Sequence, residues 1–134
     1  MTEETPIVGV LAASPNELPI MRQAGLILEK FGIPNEVQIM SSSRTPDLVD
    51  EYARTAVERG LRVVVCSTGM SGHLAAAVAA RTVIPVIGVP IATVGVDAAV
   101  NAAVLAAQIV GLGDVEIQAA LWKFKDDLAE GLKL

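Results

Sequence analysis

The sequence predicts a single α/β domain over residues 1–134, built on a parallel sheet of about four strands and closed by a C-terminal helix. Three observations carry that expectation. A continuous apolar run of strand length stands at 6–13 and a second buried-strand stretch, Val-rich after Arg62, at 61–67; stretches with helical spacing separate such segments, and glycine or proline punctuates nearly every junction. Strands that alternate with helices imply a parallel sheet with right-handed crossovers. There is no linker, repeat or low-complexity run to divide the chain.

Each element follows from its residues. Pro6 to Ala13 is uninterrupted and apolar, as a strand buried on both faces must be. Ser14-Pro15-Asn16-Glu17 is a turn. Leu18 to Phe31 carries Leu18, Met21, Gly25, Leu28 and Phe31 near one stripe, and Gly32 is a C-terminal stop. Glu36 to Ser41 alternates as a strand. Thr45 is placed to cap a helix with Pro46 at its first position, an apolar face of Leu48, Val49, Tyr52, Ala53, Ala56 and Val57, and Gly60 at its end. Leu61 to Ser67 is a second buried strand, Thr68 to Gly72 a small-residue loop, and a short Ala-rich helix follows through Ala80. Val83 to Val96 reads as strand, or two strands run together. From Asp97 a helix follows that is apolar nearly all round, which implies burial on every side. The last helix starts about Asp114, with the stripe Ile117, Leu121, Phe124, Leu128 and Leu132.

Hydrophobic residues make up 52% of the chain, and the mean hydropathy is +0.53. A domain this small leaves much of its surface in water, so an apolar excess calls for further burial. Between Val83 and Gly113 the only charge is Asp97. A membrane-spanning helix needs about 20 unbroken apolar residues, and Pro85, Gly88, Pro90 and Gly95 interrupt this stretch. A buried strand, a buried helix and subunit contacts in a homo-oligomer are the expectation, with no membrane partner. The net charge is −5 and the ten Lys and Arg are scattered, which argues against nucleic acid as a partner. Cys66, the single cysteine, cannot form an internal disulfide, and no cationic start with an apolar core suggests a signal peptide. The expected compartment is the cytoplasm.

In open α/β sheets ligands bind beyond the carboxyl ends of the strands. The loops there hold Ser14, Asn16 and Glu17, then Ser41, Ser42, Ser43 and Arg44, then Ser67, Thr68, Gly69, Ser71 and Gly72. Any one of these serines could serve only to cap a helix or turn. Three loops together, each just before a helix and one carrying an arginine fork, suit a small phosphorylated ligand. His73 is the only histidine. It is either an acid/base group or, as is commoner for a lone histidine on an apolar helix, structural. Cys66, inside a strand, reads as an inert core residue, and Asp47, Asp50 and Glu51 as a solvated helix face. No cluster has metal-ligand spacing, and neither a nucleophile elbow nor a dinucleotide fingerprint is present.

Three segments carry a family resemblance. FGIPNEVQIMSSSRTP, residues 31–46, resembles the stretch ending Ser-Ala-His-Arg-Thr-Pro in the PurE family of N5-carboxyaminoimidazole ribonucleotide mutases and aminoimidazole ribonucleotide carboxylases. RGLRVVVCSTGMSGHLAAAVAARTVIPVIGVP, residues 59–90, is similar to that family's strand, Gly- and Ala-rich loop with His-Leu, and Thr-x-x-Pro-Val-x-Gly-Val-Pro segment. NAAVLAAQIV, residues 101–110, resembles its late helix. The resemblance implies a three-layer flavodoxin-like domain in an octamer, working on a phosphorylated imidazole ribonucleotide in purine biosynthesis without metal or organic cofactor. It implies that Ser14, Asn16 and Glu17 lie in the first nucleotide loop, that Ser41 and Arg44 hold ribose and phosphate, and that Gly69 to His73 wall the base site.

Three departures go with it. Ser14-Pro15-Asn16-Glu17 stands where the family has Ser-x-Ser-Asp. Ser43 stands at the family's acid/base histidine, and a hydroxyl that does not titrate near neutral pH cannot replace an imidazole. About twenty residues that follow the family's Gly-Val-Pro strand have no counterpart after Pro90. The implied activity is therefore carboxylase or mutase chemistry reduced or altered, with His73 the only imidazole left. The alternative is a non-catalytic ligand-binding paralogue, or a regulatory or structural oligomer.

Overall fold

A computed structural model describes residues 4–68, 73–90 and 98–132. Four strands, β1 (Val8–Ala12), β2 (Asn35–Ile39), β3 (Val63–Ser67) and β4 (Val86–Val89), form one parallel sheet in the order β2-β1-β3-β4. This is the strand order of flavodoxin-like sheets without a fifth strand. Among the described residues five α-helices accompany them: α1 (Leu18–Lys30), α2 (Pro46–Thr55), α3 (His73–Ala79), α4 (Ala98–Val110) and α5 (Val115–Ala129).

Side chains alternate along each strand, so the central strands β1 and β3 feed two cores at once. Val8, Val10, Ala12, Val63 and Val65 pack with Met21, Ala24 and Leu28 of α1, with α4, and with Ile117, Leu121 and Phe124 of α5. Leu11, Val64 and Cys66 point the other way, against α2 and α3 through Val49, Tyr52, Ala53, Leu74 and Val78. The result is three layers. Gly9 faces the second layer, where a Cβ would run into the Tyr52 hydroxyl. That hydroxyl donates to Glu36 Oε2 at 2.6 Å, and Arg59 stacks on the Tyr52 ring while bonding the same carboxylate at 2.9 Å.

Helix ends follow the punctuation. Gly32 and Gly60 have φ of +73° and +92°, the left-handed region that closes α1 and the turn after α2 without Cβ strain. Asp114 Oδ1 caps α5 by accepting from the Glu116 and Ile117 amides at 3.0 and 3.2 Å.

Three expectations change. Leu48 and Val57 are 44% and 52% exposed and lie off the buried face of α2, which is only Val49, Tyr52, Ala53 and Ala56 wide. Within Val83–Pro90 the strand is confined to Val86–Val89, because Pro85 and Pro90, lacking N–H donors, bracket the ladder; 91–97, including Asp97, lies outside the described residues. α4 is not buried all round: Asn101, Leu105 and Gln108 form an exposed stripe at i, i+4 and i+7, while Ala99, Ala102, Ala103, Ala106 and Ala107 pack inward. Alanine is small enough to let α4 lie close on α1 and the sheet.

Candidate functional site

The carboxyl ends of β1, β2 and β3 lie side by side at the point where the chain, having placed β2 on one flank of β1, places β3 on the other. This is the switch in strand order where open α/β sheets open a crevice. The β1–β3 ladder ends at Leu11 and Cys66. One residue further, the fully buried Ser67 hydroxyl accepts from the Ala13 amide at 2.8 Å. A side chain thus continues the tie that the backbone has dropped, and the first loop leaves β1 from a fixed point. Thr68, also buried, is held by its amide to Val89 O at 2.9 Å. Ser67 is spent on this junction, a role that its position at a strand end did not distinguish from ligand contact.

The first loop is a 3₁₀ turn, Pro15–Glu17, entered from an extended Ser14. Ser14 Oγ donates to Glu17 Oε2 at 3.0 Å, and the Glu17 amide donates to Ser14 O at 3.1 Å. The other carboxylate oxygen, Oε1, is buried without a hydrogen-bond partner among the described residues. With its proton committed to Glu17, Ser14 offers only lone pairs to a visitor, beside a negative charge. This loop suits hydrogen-bond donors such as hydroxyl or amino groups rather than an anion. Asn16 is exposed on the same turn.

The second loop is knotted around Ser41. Its amide donates to Thr45 Oγ1 at 2.9 Å, and Thr45 Oγ1 donates to Ser41 O at 3.1 Å. Ser41 Oγ accepts from the Ser43 and Arg44 amides at 3.3 and 3.2 Å and shares a proton with Ser43 Oγ at 3.1 Å. Thr45 therefore closes the turn instead of capping α2, which has no side-chain cap. The turn projects Arg44 into solvent, and Arg44 forms no ion pair among the described residues. Because Met40 N bonds Ala12 O at 3.0 Å, this cationic loop leaves the sheet beside the acidic first loop.

From the third loop, Gly69, Ser71 and Gly72 lie outside the described residues. His73 is the first residue of α3 and is exposed. Cys66 is buried, and burial pushes its thiol up to about 12, so it is unreactive at neutral pH. Asp50 bonds Arg54 at 2.7 Å and Arg81 at 3.2 Å, while Asp47 and Glu51 are exposed, a solvated helix face as expected. Among the described residues no three His, Cys, Asp or Glu side chains gather as metal ligands would. No helix among them is long and apolar enough to cross a membrane.

The family model described as AIR carboxylase matches residues 7–93 and 88–131. The chain belongs to the AIR carboxylase family. Among its relatives in that family, the N5-carboxyaminoimidazole ribonucleotide mutase of Pyrococcus horikoshii is 39% identical over 151 residues, covering 96% of this chain and 85% of the relative. That of Thermotoga maritima is 39% identical over 144 residues, with 90% and 84% covered. A crystal structure of Treponema denticola PurE shares the fold with a TM-score of 0.80 at 22% identity, covering 93% of this chain and 92% of that one. The AIR carboxylase match breaks and restarts within 88–93. The 151 aligned positions exceed 96% of a 134-residue chain by about twenty, which is the size of the stretch expected to be absent after Pro90.

Proposed function

We propose that this chain binds a phosphorylated imidazole ribonucleotide, or a close relative, as a member of a purine-biosynthetic family whose carboxylase or mutase chemistry is here reduced or altered. The observation that carries the reading is the Ser41–Thr45 turn. It holds Arg44 free for a phosphate, yet at Ser43, where the family resemblance puts the acid/base histidine, it offers a hydroxyl already bonded to Ser41.

The two neighbouring loops have opposite polarity, which suits a ligand that is anionic at one end and rich in donors at the other. The phosphate goes to Arg44 as a bidentate, charge-assisted pair, with Ser43 beside it. Sugar or amino donors go to the Ser14 lone pairs beside the Glu17 carboxylate. The His73 to Gly69 segment would complete the base site, and no metal or organic cofactor is required. Moving a carboxyl group onto a ring carbon displaces a proton from that carbon, and a positioned base is worth roughly a hundred- to ten-thousandfold in rate. Ser43 supplies none of it. The same observation favours the second reading, a ligand-binding paralogue without turnover. The protein acts as a cytoplasmic homo-oligomer, an octamer by resemblance.

Ribonucleotides are screened by thermal shift, and the best ligand is taken into carboxylation and mutase assays with the parent and Ser43→His. Binding with little turnover, and a large gain in Ser43→His, is the expected result. Binding with no gain favours the paralogue. A parent that turns over at the rate of ordinary relatives overturns the reduced-chemistry reading, and His73→Asn then asks whether His73 does the work.

A further inference from the structure

One apolar face stays in water outside the core. Leu105 of α4, Leu112 in the 3₁₀ turn Gly111–Gly113, and Val115 and Trp122 of α5 are 47%, 82%, 79% and 72% exposed. Leu105 stands three residues before Gln108 on α4, and Gln108 and Leu112 line one groove. This groove, of about 410 Å³, is floored by Gly111 and Leu121 and walled by Leu112, Gln118 and Trp122.

We propose that this face is where two copies of the chain meet, across a twofold axis, each Trp122 entering the groove of the other. It names one face of the homo-oligomer proposed above. Three features select a second copy as the occupant. The face carries a protruding indole directly beside a groove with room for one, and a knob next to its own hole is what a twofold contact needs, since the same patch must serve both partners. Its charge permits the meeting: the chain carries −5 overall, but the groove has a single ionisable side chain, Lys125, followed on the exposed surface of α5 by Asp126. Two such faces do not repel, and Lys125 of one copy can reach Gln118 of the other when the α5 helices run antiparallel. The area is adequate: the four exposed side chains offer on the order of 500 Å² of apolar surface, more than half of the roughly 800 Å² per partner of a stable interface, and Gln108, Gln118 and the Lys125 stem supply a rim.

Trp122 is the only tryptophan, so the intact protein reports on this face by itself. Emission and iodide quenching are followed across a dilution series, with mass measured in parallel by light scattering. The indole should be shielded and blue-shifted in the assembly and turn water-exposed as the mass falls. Trp122 and Leu112 are exposed, so Trp122→Lys and Leu112→Glu should fold, and each should weaken association at least about thirtyfold, the effect of a central aromatic anchor. An assembly of unchanged mass in both variants, or one whose Trp122 stays open to iodide, means that the copies meet elsewhere and overturns the proposal. A monomer at micromolar concentration overturns both this face and the homo-oligomer reading, while leaving ribonucleotide binding to be judged by its own assay.

Discussion

At the scale of single residues, the carboxyl edge of the sheet separates side chains that hold the loops from those that face outward. Ser67 belongs to the first group. Ser67→Ala leaves the Ala13 amide without its acceptor in a partly buried position, which costs about 1 kcal/mol or somewhat more. Urea denaturation should show a lower midpoint with an unchanged slope, and ribonucleotide affinity should fall as well, because the first loop loses its anchor. An unchanged midpoint would mean that water replaces the hydroxyl at no cost. The Arg44 side chain belongs to the second group and forms no ion pair among the described residues. Arg44→Ala should leave the melting temperature alone and weaken ribonucleotide binding ten- to a hundredfold, the worth of a charge-assisted pair at about 1.5–3 kcal/mol. Titration calorimetry giving the parent's affinity would remove the phosphate from this loop. The sequence marked these positions as a group but could not divide them. A hydroxyl looks the same whether it accepts from Ala13 at a strand junction or from a ligand, and only the pairing of β1 with β3 brings Ser67 to Ala13.

At the scale of elements, what could be read in advance tracks how strongly each residue type constrains its segment. β1 and β3 were legible because only a strand covered on both faces tolerates such apolar runs, and the ends of α1 and α2 because Gly32 and Gly60 have the only residue type that adopts their φ freely. The exposed stripe of α4 was not legible, since Leu105 is as apolar as its buried neighbours and its side is decided by where α1 and α5 pack. Nor was the lock on β2. That edge strand is only partly buried, and Glu36 fastens it to α2 and the following turn through Tyr52 and Arg59. Burial alone would raise the Glu36 carboxyl, but the hydrogen bonds from Arg59 and Tyr52 and the Arg59 charge outweigh it and hold the group below its ordinary 4.5. A carboxyl depressed in the folded state contributes stability that is present above the unfolded value and is lost as pH falls through the folded one. Urea midpoints should therefore decline as pH drops below 4.5, and Glu36→Gln should flatten that decline while lowering stability at neutral pH. An acid limb unchanged in Glu36→Gln would assign it to other carboxylates.

At the scale of the whole molecule, one twofold face closes an assembly at two copies, because an isologous contact uses up the patch on both partners. An octamer therefore needs a second, head-to-tail face that closes a ring of four. Exposed apolar side chains remain for it away from the α4–α5 groove: Ile39 on the edge strand β2, Leu48 on α2, and Val83 before β4, at 41%, 44% and 90% exposure. If rings of four pair through Trp122, weakening that contact should halve the assembly without dissolving the rings. Light scattering should then give about eight times 13.9 kDa for the parent and about four times for Trp122→Lys at the same concentration. If the Trp122 face instead joins the only pair, the parent itself should stop at two copies and the variant at one. Either stepwise halving places the twofold at α5, whereas a variant that keeps the parent's mass would put every subunit contact on the other faces and leave the exposed indole with no role in assembly.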